Sequence, residues 1–343
     1  MNHVFKIILK ANICFYFNTY QEDINMKRLA KEIIAGRRLQ RDEDFNIFLT
    51  AELNELLEGA NMIRKELCGN KVDLCAIING RSGNCSENCK FCAQSVYHHT
   101  GIDKHEFLDP EVILEDCKKN EANGVHRYSI VTSGRALLGK DFDKAIESYR
   151  KMKDECNIEL CASHGLIGEE EFARLKDAGV SMYHANIETS KRYFPNVCTT
   201  HTYEDKTNTI MLAKKAGLRV CSGCIIGMGE TWYDRIDMAL SLSELQVDSI
   251  PINVLMPIKG TCYESLEPLS EDDILRTIAI FRYINPNAYI RMAAGRIYFK
   301  DGGAKTFLSG VNATITGDML TTVGNNTIQD KKMLTDLGFD ISR

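Results

Sequence analysis

Short apolar runs rich in β-branched residues alternate along this chain with stretches whose apolar positions recur every three to four residues. The first pattern predicts strands over 73–79, 126–132, 157–163, 181–188, 218–226, 249–256, 288–293 and 311–316. The second predicts amphipathic helices over 141–153, 169–178, 202–216, 232–244 and 271–284. Regular alternation of this kind gives an α/β fold, a parallel sheet wrapped by helices. Eight such strands within about 250 residues match a closed (β/α)8 TIM barrel. A doubly wound open sheet is the alternative, since periodicity alone does not separate the two. Helical patterns before Asp73 form an N-terminal extension expected to cover the barrel's N-terminal end.

Residues 1–25 stand apart from this pattern. Phe5 to Phe17 is apolar but lacks a basic start and a small-residue cleavage site, so it reads as an extension, or as sequence upstream of a start at Met26. No Pro/Gly-rich linker divides the remainder, and 26–343 reads as a single barrel domain with N-terminal helices and a C-terminal tail. At a net charge of -5 the chain has no basic footprint for nucleic acid. No apolar run reaches the roughly 20 residues that a membrane helix needs. Thirteen cysteines in 343 residues is a high and odd number. A secreted disulfide framework is usually short and evenly paired. The count therefore points to a reducing, cytoplasmic setting with some thiols serving as metal ligands.

The strongest chemical signal follows the first strand. Cys85, Cys89 and Cys92 stand in a polar, glycine-rich loop with the spacing Cys-x3-Cys-x2-Cys. Thiolates this close can converge on one iron–sulfur centre, and three ligands leave a metal position open for substrate, as catalytic metal sites do. A zinc knuckle completed by His98 or His99 is the bland alternative, but structural zinc sites usually carry paired Cys-x2–4-Cys or His-x3–5-His spacings.

Cys-x3-Cys-x-aromatic-Cys after the first strand of a barrel resembles the radical S-adenosylmethionine enzymes. The resemblance narrows further to the biotin synthase family. It is carried by Cys89-Lys-Phe-Cys-Ala-Gln-Ser95, Tyr183-His-Ala-Asn-Ile-Glu-Thr-Ser190, Val220-Cys-Ser-Gly-Cys-Ile-Ile-Gly-Met-Gly-Glu-Thr231, Pro251-Ile-Asn-Val-Leu255, Tyr289-Ile-Arg-Met-Ala-Ala-Gly-Arg296 and the tail from Gly310 to Thr322. The resemblance implies a 4Fe-4S cluster on Cys85, Cys89 and Cys92, with S-adenosylmethionine on the open iron. It implies an auxiliary iron–sulfur cluster, of 2Fe-2S or four-iron type, as the sulfur donor, and dethiobiotin as substrate. Phe91 is then expected near the adenine, Glu188 on the ribose hydroxyls and Lys206 on the cofactor carboxylate. Gly223, Ile225 and Gly227 match the adenine-contacting strand, although glycines in a strand can also mark close backbone packing alone. Asn186 and Asn253 match the residues that contact dethiobiotin, and an amide suits a ureido ring because it offers donor and acceptor together.

Cys161, Cys221 and Arg291 match ligands of the auxiliary cluster. For the two cysteines an inert buried thiol is the plain alternative, and for the arginine a carboxylate clamp. The best-known form of the family has a further cluster cysteine where this chain has Ser129, while Cys224 replaces a glycine. These two departures suggest an auxiliary site rebuilt on Cys161, Cys221 and Cys224, with Arg291 as ligand or neighbour. Residues three apart in a regular strand face opposite ways, so this set requires a bulge or bend at Ser222-Gly223. Cys14, Cys68, Cys75, Cys117, Cys156, Cys198 and Cys262 receive no role. A small reductant protein (flavodoxin or ferredoxin) and a homodimer are family expectations. Another radical enzyme, such as a metalloenzyme maturase or amino-acid mutase, is the alternative activity.

Overall fold

The computed structural model describes residues 25–317 and 326–342, so residues 1–24 and part of the C-terminal tail motif lie outside the described residues. The predicted strands form as β1 (Asp73–Arg81), β2 (Arg127–Thr132), β3 (Glu159–Ser163), β4 (Met182–His184), β5 (Arg219–Cys221), β6 (Cys224–Ile226), β7 (Ser249–Val254), β8 (Tyr289–Met292) and β9 (Ala313–Ile315). All pairings between them are parallel, and β1 joins both β2 and β9 while β7 joins both β5 and β6. The sheet therefore closes. β5 and β6 are two halves of the fifth barrel stave, and the result is the expected eight-staved barrel rather than an open sheet.

Parallel strands buried on both faces should be apolar nearly throughout. That explains why Leu74, Ala76, Tyr128, Ile130, Leu160, Ala162, Ile250 and Ile252 are buried against the outer helices. Those helices begin at side-chain caps: Asp109 for Pro110–Ala122, Thr202 for Tyr203–Lys215, Thr231 for Trp232–Glu244 and Ser270 for Glu271–Ile284. Thr202 with Asp205 and Thr231 with Asp234 each close a reciprocal capping box.

The N-terminal helix Met26–Ile34 packs on Leu53–Cys68, which docks on the outer ring against Glu271–Ile284. Tyr283 donates its hydroxyl to the Met26 carbonyl at 2.9 Å, in space kept open because Gly59 has no side chain there.

Candidate active site

Side chains alternate across a strand, so β1 sends Asp73, Cys75, Ile77 and Asn79 into the barrel. At the C-terminal ends of the strands the interior opens into a cavity of about 380 Å3. Ile77, Val131, Ser163, His184, Pro251 and Ile315 form its floor. Phe91, Cys92, Asn186, Glu188, Lys206, Ile225 and Asn253 line its walls. Strand ends are where a barrel of this kind performs chemistry.

The three-cysteine loop is held from both ends. The Cys85 N–H donates to Gln94 O at 3.0 Å and the Val96 N–H to Cys85 O at 2.9 Å. Segment 197–201 clamps its middle. The Lys90 N–H donates to Val197 O at 3.0 Å, Asn88 Oδ1 accepts from the Thr199 N–H at 2.9 Å, and the Glu87 carboxylate accepts from the Thr200 hydroxyl at 2.8 Å and meets the His201 ring at 2.5 Å. Cys198 and His201 bring their ligand atoms within 4.8 Å of the Cys89 thiol. Neither was singled out in the sequence; the only trace was the Cys-x2-His spacing, and Cys89 lies too far along the chain for that spacing to point at it. His98 is turned elsewhere, with Nδ1 on the Cys92 carbonyl at 2.7 Å and Nε2 by Cys262 at 3.5 Å, which removes the main support for a zinc knuckle.

Glu188 owes its position to one extra residue. His184 pairs with Cys221, but the next contact pairs Glu188 with Cys224, so three residues on the fourth stave oppose two on the fifth. This extra residue ends the β4 ladder early, shortening the predicted 181–188 strand. It leaves Glu188 at φ 65°, a conformation costly for a side-chain-bearing residue and typical of functional sites. Glu188 thereby enters the cavity beside Lys206, Oε1 to Nζ at 3.5 Å. Burial raises the Glu188 carboxyl above its usual range, and Lys206 pulls against that rise.

Gly223 lies at the same junction. Its N–H donates to Asn186 Oδ1 at 3.1 Å and its carbonyl accepts from the Glu188 N–H at 3.2 Å. A Cβ there would stand 1.9 Å from the Pro251 carbonyl oxygen, so close approach of the backbone is why glycine is needed. Gly227, at φ 95°, begins the turn whose N–H groups are taken by the Glu230 carboxylate at 2.8 and 2.7 Å. Neither glycine lines the cavity itself; Ile225 does. Asn253 donates to Cys224 O at 3.2 Å and accepts from the Ala294 N–H at 3.3 Å. One further N–H and one acceptor position remain on its amide.

Below the cavity floor lie Cys161, Met182 and Cys221, an apolar group separate from the main core. Arg291 reaches the same level, held by the Asp73 carboxylate, by Thr314 O at 2.8 Å, by Asp73 O at 3.3 Å and by Ser249 Oγ at 3.4 Å. This is the carboxylate clamp weighed against a ligand role. Its guanidinium therefore stands beside the thiols as a cation.

Cys224 does not join them. The fifth stave is interrupted at Ser222-Gly223, but without insertion: Cys221 pairs with Ser249 and Cys224 with Ile252, an equal step on both strands. The extra residue lies on the fourth stave instead. Parity is therefore kept, Cys221 faces inward, and Cys224 faces outward with Ile252 into the main core. The expected Cys161–Cys221–Cys224 set is corrected on this ground.

Residues 81–242 match the profile of the radical SAM superfamily, and residues 251–340 that of the Biotin and Thiamin Synthesis associated domain. The fold is that of methylornithine synthase (TM-score 0.81, 21% identity, 92% of this chain and 97% of that one). It is also that of the FeFe-hydrogenase maturase of Carboxydothermus hydrogenoformans (TM-score 0.77, 16% identity, 98% of this chain and 81% of that one). The class is thus a radical S-adenosylmethionine barrel enzyme. The chain is 72% identical to the biotin synthase of Clostridium beijerinckii over 92% of its length and 100% of that protein. It is 64% identical to the biotin synthase of Alkaliphilus metalliredigens over 93% and 100%. It belongs to the biotin synthase family, which uses a 4Fe-4S cluster, S-adenosylmethionine and an auxiliary iron–sulfur cluster.

The residues fit these groups. Cys92 of the three-cysteine loop borders the cavity, and a partly buried carboxylate and ammonium face the same space. Beneath it the Ser129 hydroxyl is fully buried without a hydrogen-bond partner, the kind of orphan that a polar occupant of the barrel would satisfy.

Proposed function

We propose that this chain converts dethiobiotin to biotin by inserting sulfur between two saturated carbons. The observation that carries the reading is the stacking of two levels inside one barrel. One cavity is bounded above by Phe91, Cys92, Glu188 and Lys206, and its floor lies directly over Cys161 and Cys221. When bound, the S-adenosylmethionine cluster supplies a hydrogen-abstracting 5′-deoxyadenosyl radical and the auxiliary cluster supplies sulfur.

The protein's part is positioning and exclusion. Cys85, Cys89 and Cys92 hold the first cluster, and Phe91, Ile225 and the Gly223–Gly227 strand seat the adenine. Glu188 accepts the ribose hydroxyls, and Lys206 meets the cofactor carboxylate as a single point charge. Asn186 and Asn253 orient the ureido ring of dethiobiotin between them. Ile77, Val131 and Ile315 give the floor apolar side chains that would pack against the saturated chain of the substrate. A flavodoxin or ferredoxin in the cytoplasm is the reductant this chemistry requires, and a homodimer is the assembly.

Anaerobic, iron- and sulfide-reconstituted protein with reductant, S-adenosylmethionine and dethiobiotin is expected to yield 5′-deoxyadenosine and biotin, both read by mass spectrometry. Cofactor cleavage that proceeds without any biotin would overturn the substrate assignment. Light scattering reads the oligomeric state.

A further inference from the structure

Segment 197–201 does more than brace the three-cysteine loop. It sets a fourth thiol, Cys198, against the middle cysteine of the loop, and Cys198 and Cys89 share a hydrogen bond. Cys198 is 3% exposed. The bond from the Lys90 N–H to Val197 O fixes its register against the loop. A buried thiol of this kind is inert packing unless its proton has a particular destination.

The surrounding groups narrow that destination. Cys198 Sγ lies 3.3 Å from Asn88 Oδ1, 3.4 Å from Thr200 Oγ1 and 3.3 Å from His201 Nδ1. Asn88 Oδ1 already accepts from the Thr199 N–H at 2.9 Å and the Thr200 N–H at 3.3 Å, which occupies both lone pairs of an amide oxygen. The Thr200 hydroxyl accepts from the Asn88 N–H at 3.1 Å and donates to Glu87 at 2.8 Å. His201 Nδ1 meets the Glu87 carboxylate, an acceptor only, so this nitrogen bears the hydrogen and offers the thiol no lone pair. A cysteinate on iron is an acceptor with negative charge, and it outcompetes these neutral neighbours for the Cys198 proton.

We infer that Cys198 is a positioning residue acting on the loop cluster through Cys89: its S–H donates to the Cys89 thiolate and raises the cluster's reduction potential. The inference rests on the functional reading above, in which Cys89 is a cluster ligand. Reduction adds one negative charge to the cluster, and a hydrogen bond to a ligand sulfur stabilises that charge. The electron that the small reductant protein delivers is then easier to place. Glu87 and His201, both buried, hold the far side of the Cys198 sulfur, so the thiol keeps one orientation.

The test is a redox titration of anaerobically reconstituted full-length protein, following the reduced paramagnetic signal that changes on adding S-adenosylmethionine. Cys198→Val fills the same space without a donor and is expected to move the midpoint of that signal to a more negative potential. Cys198→Ser keeps a donor and is expected to titrate near wild type, a rescue that a merely structural role would not produce. In heavy water, pulsed paramagnetic spectra of wild type and Cys198→Ser are expected to show an exchangeable deuteron coupling that Cys198→Val lacks. If the valine variant does not fold, Cys198→Ala reads the same shift. A wild-type midpoint in the valine and alanine variants overturns the inference. So does a serine variant shifted as far as valine, or a deuteron coupling that valine retains. Wild type whose loop binds no cluster responsive to S-adenosylmethionine overturns the functional reading instead.

Discussion

Asp73 and Arg291 join carboxylate to guanidinium across the barrel interior, although one stands on the first stave and the other on the seventh. The same carboxylate accepts from Arg127 Nε at 3.0 Å, so one buried anion serves two buried cations. Breaking such a pair by removing one partner costs about 3–5 kcal/mol, because an uncompensated charge stays behind. Asp73→Asn is therefore expected to lower the stability of cluster-free protein by about 3 kcal/mol or more, measured by urea denaturation. A loss under 1 kcal/mol would mean that water reaches the two arginines.

Gly223→Ala tests the junction between the fourth and fifth staves. The added methyl collides with backbone at Pro251, which no rotamer change relieves. Overpacking of this type usually costs about 1–3 kcal/mol. A melting temperature lowered by several degrees is expected, together with weaker S-adenosylmethionine binding, because Glu188 hangs from the same hydrogen bonds. An unchanged melting curve would show that the junction can open.

Much of this was legible beforehand. The helices over 232–244 and 271–284 form with the bounds their periodicity gives, because each has an apolar stripe and a capping Thr231 or Ser270. Strand positions were legible because fully buried parallel strands are continuous apolar runs. What escaped was parity. Cys221-Ser-Gly-Cys224 reads as a ligand pair until the register shows that the extra residue belongs to 185–187, on the neighbouring stave. Register is a property of strand pairs, and a single sequence states each strand alone.

Glu188 and Lys206 make a prediction about cofactor affinity. Each is partly buried at the cavity wall, 3.5 Å from the other. Hydrogen bonds to charged groups contribute about 1.5–3 kcal/mol, so Glu188→Gln and Lys206→Met are each expected to raise the Kd for S-adenosylmethionine at least about tenfold. Equilibrium dialysis under anaerobic conditions measures this. The cluster signal from the three-cysteine loop should persist in both, since neither residue offers it a ligand.

Asp234 makes the pH dependence testable away from the clusters. Burial alone would raise its carboxyl, but hydrogen bonds from Arg192, Ser190 and Thr231 outweigh burial and hold it at about 2, against 3.8 for the ordinary group. The carboxylate binds a proton less readily in the folded state than in the unfolded one. Its contribution is therefore complete above pH 3.8 and lost as pH falls through 2. The same side chain closes the capping box of Trp232–Glu244 and accepts from the Ser190 hydroxyl at 2.6 Å. Acid thus loosens the cap of that helix and its tie to the segment after Glu188. Asp234→Asn is expected to cost about 1 kcal/mol near neutral pH and to flatten the decline in melting temperature between pH 4 and 2. A variant whose acid decline matches the wild type would place the acid-sensitive group elsewhere.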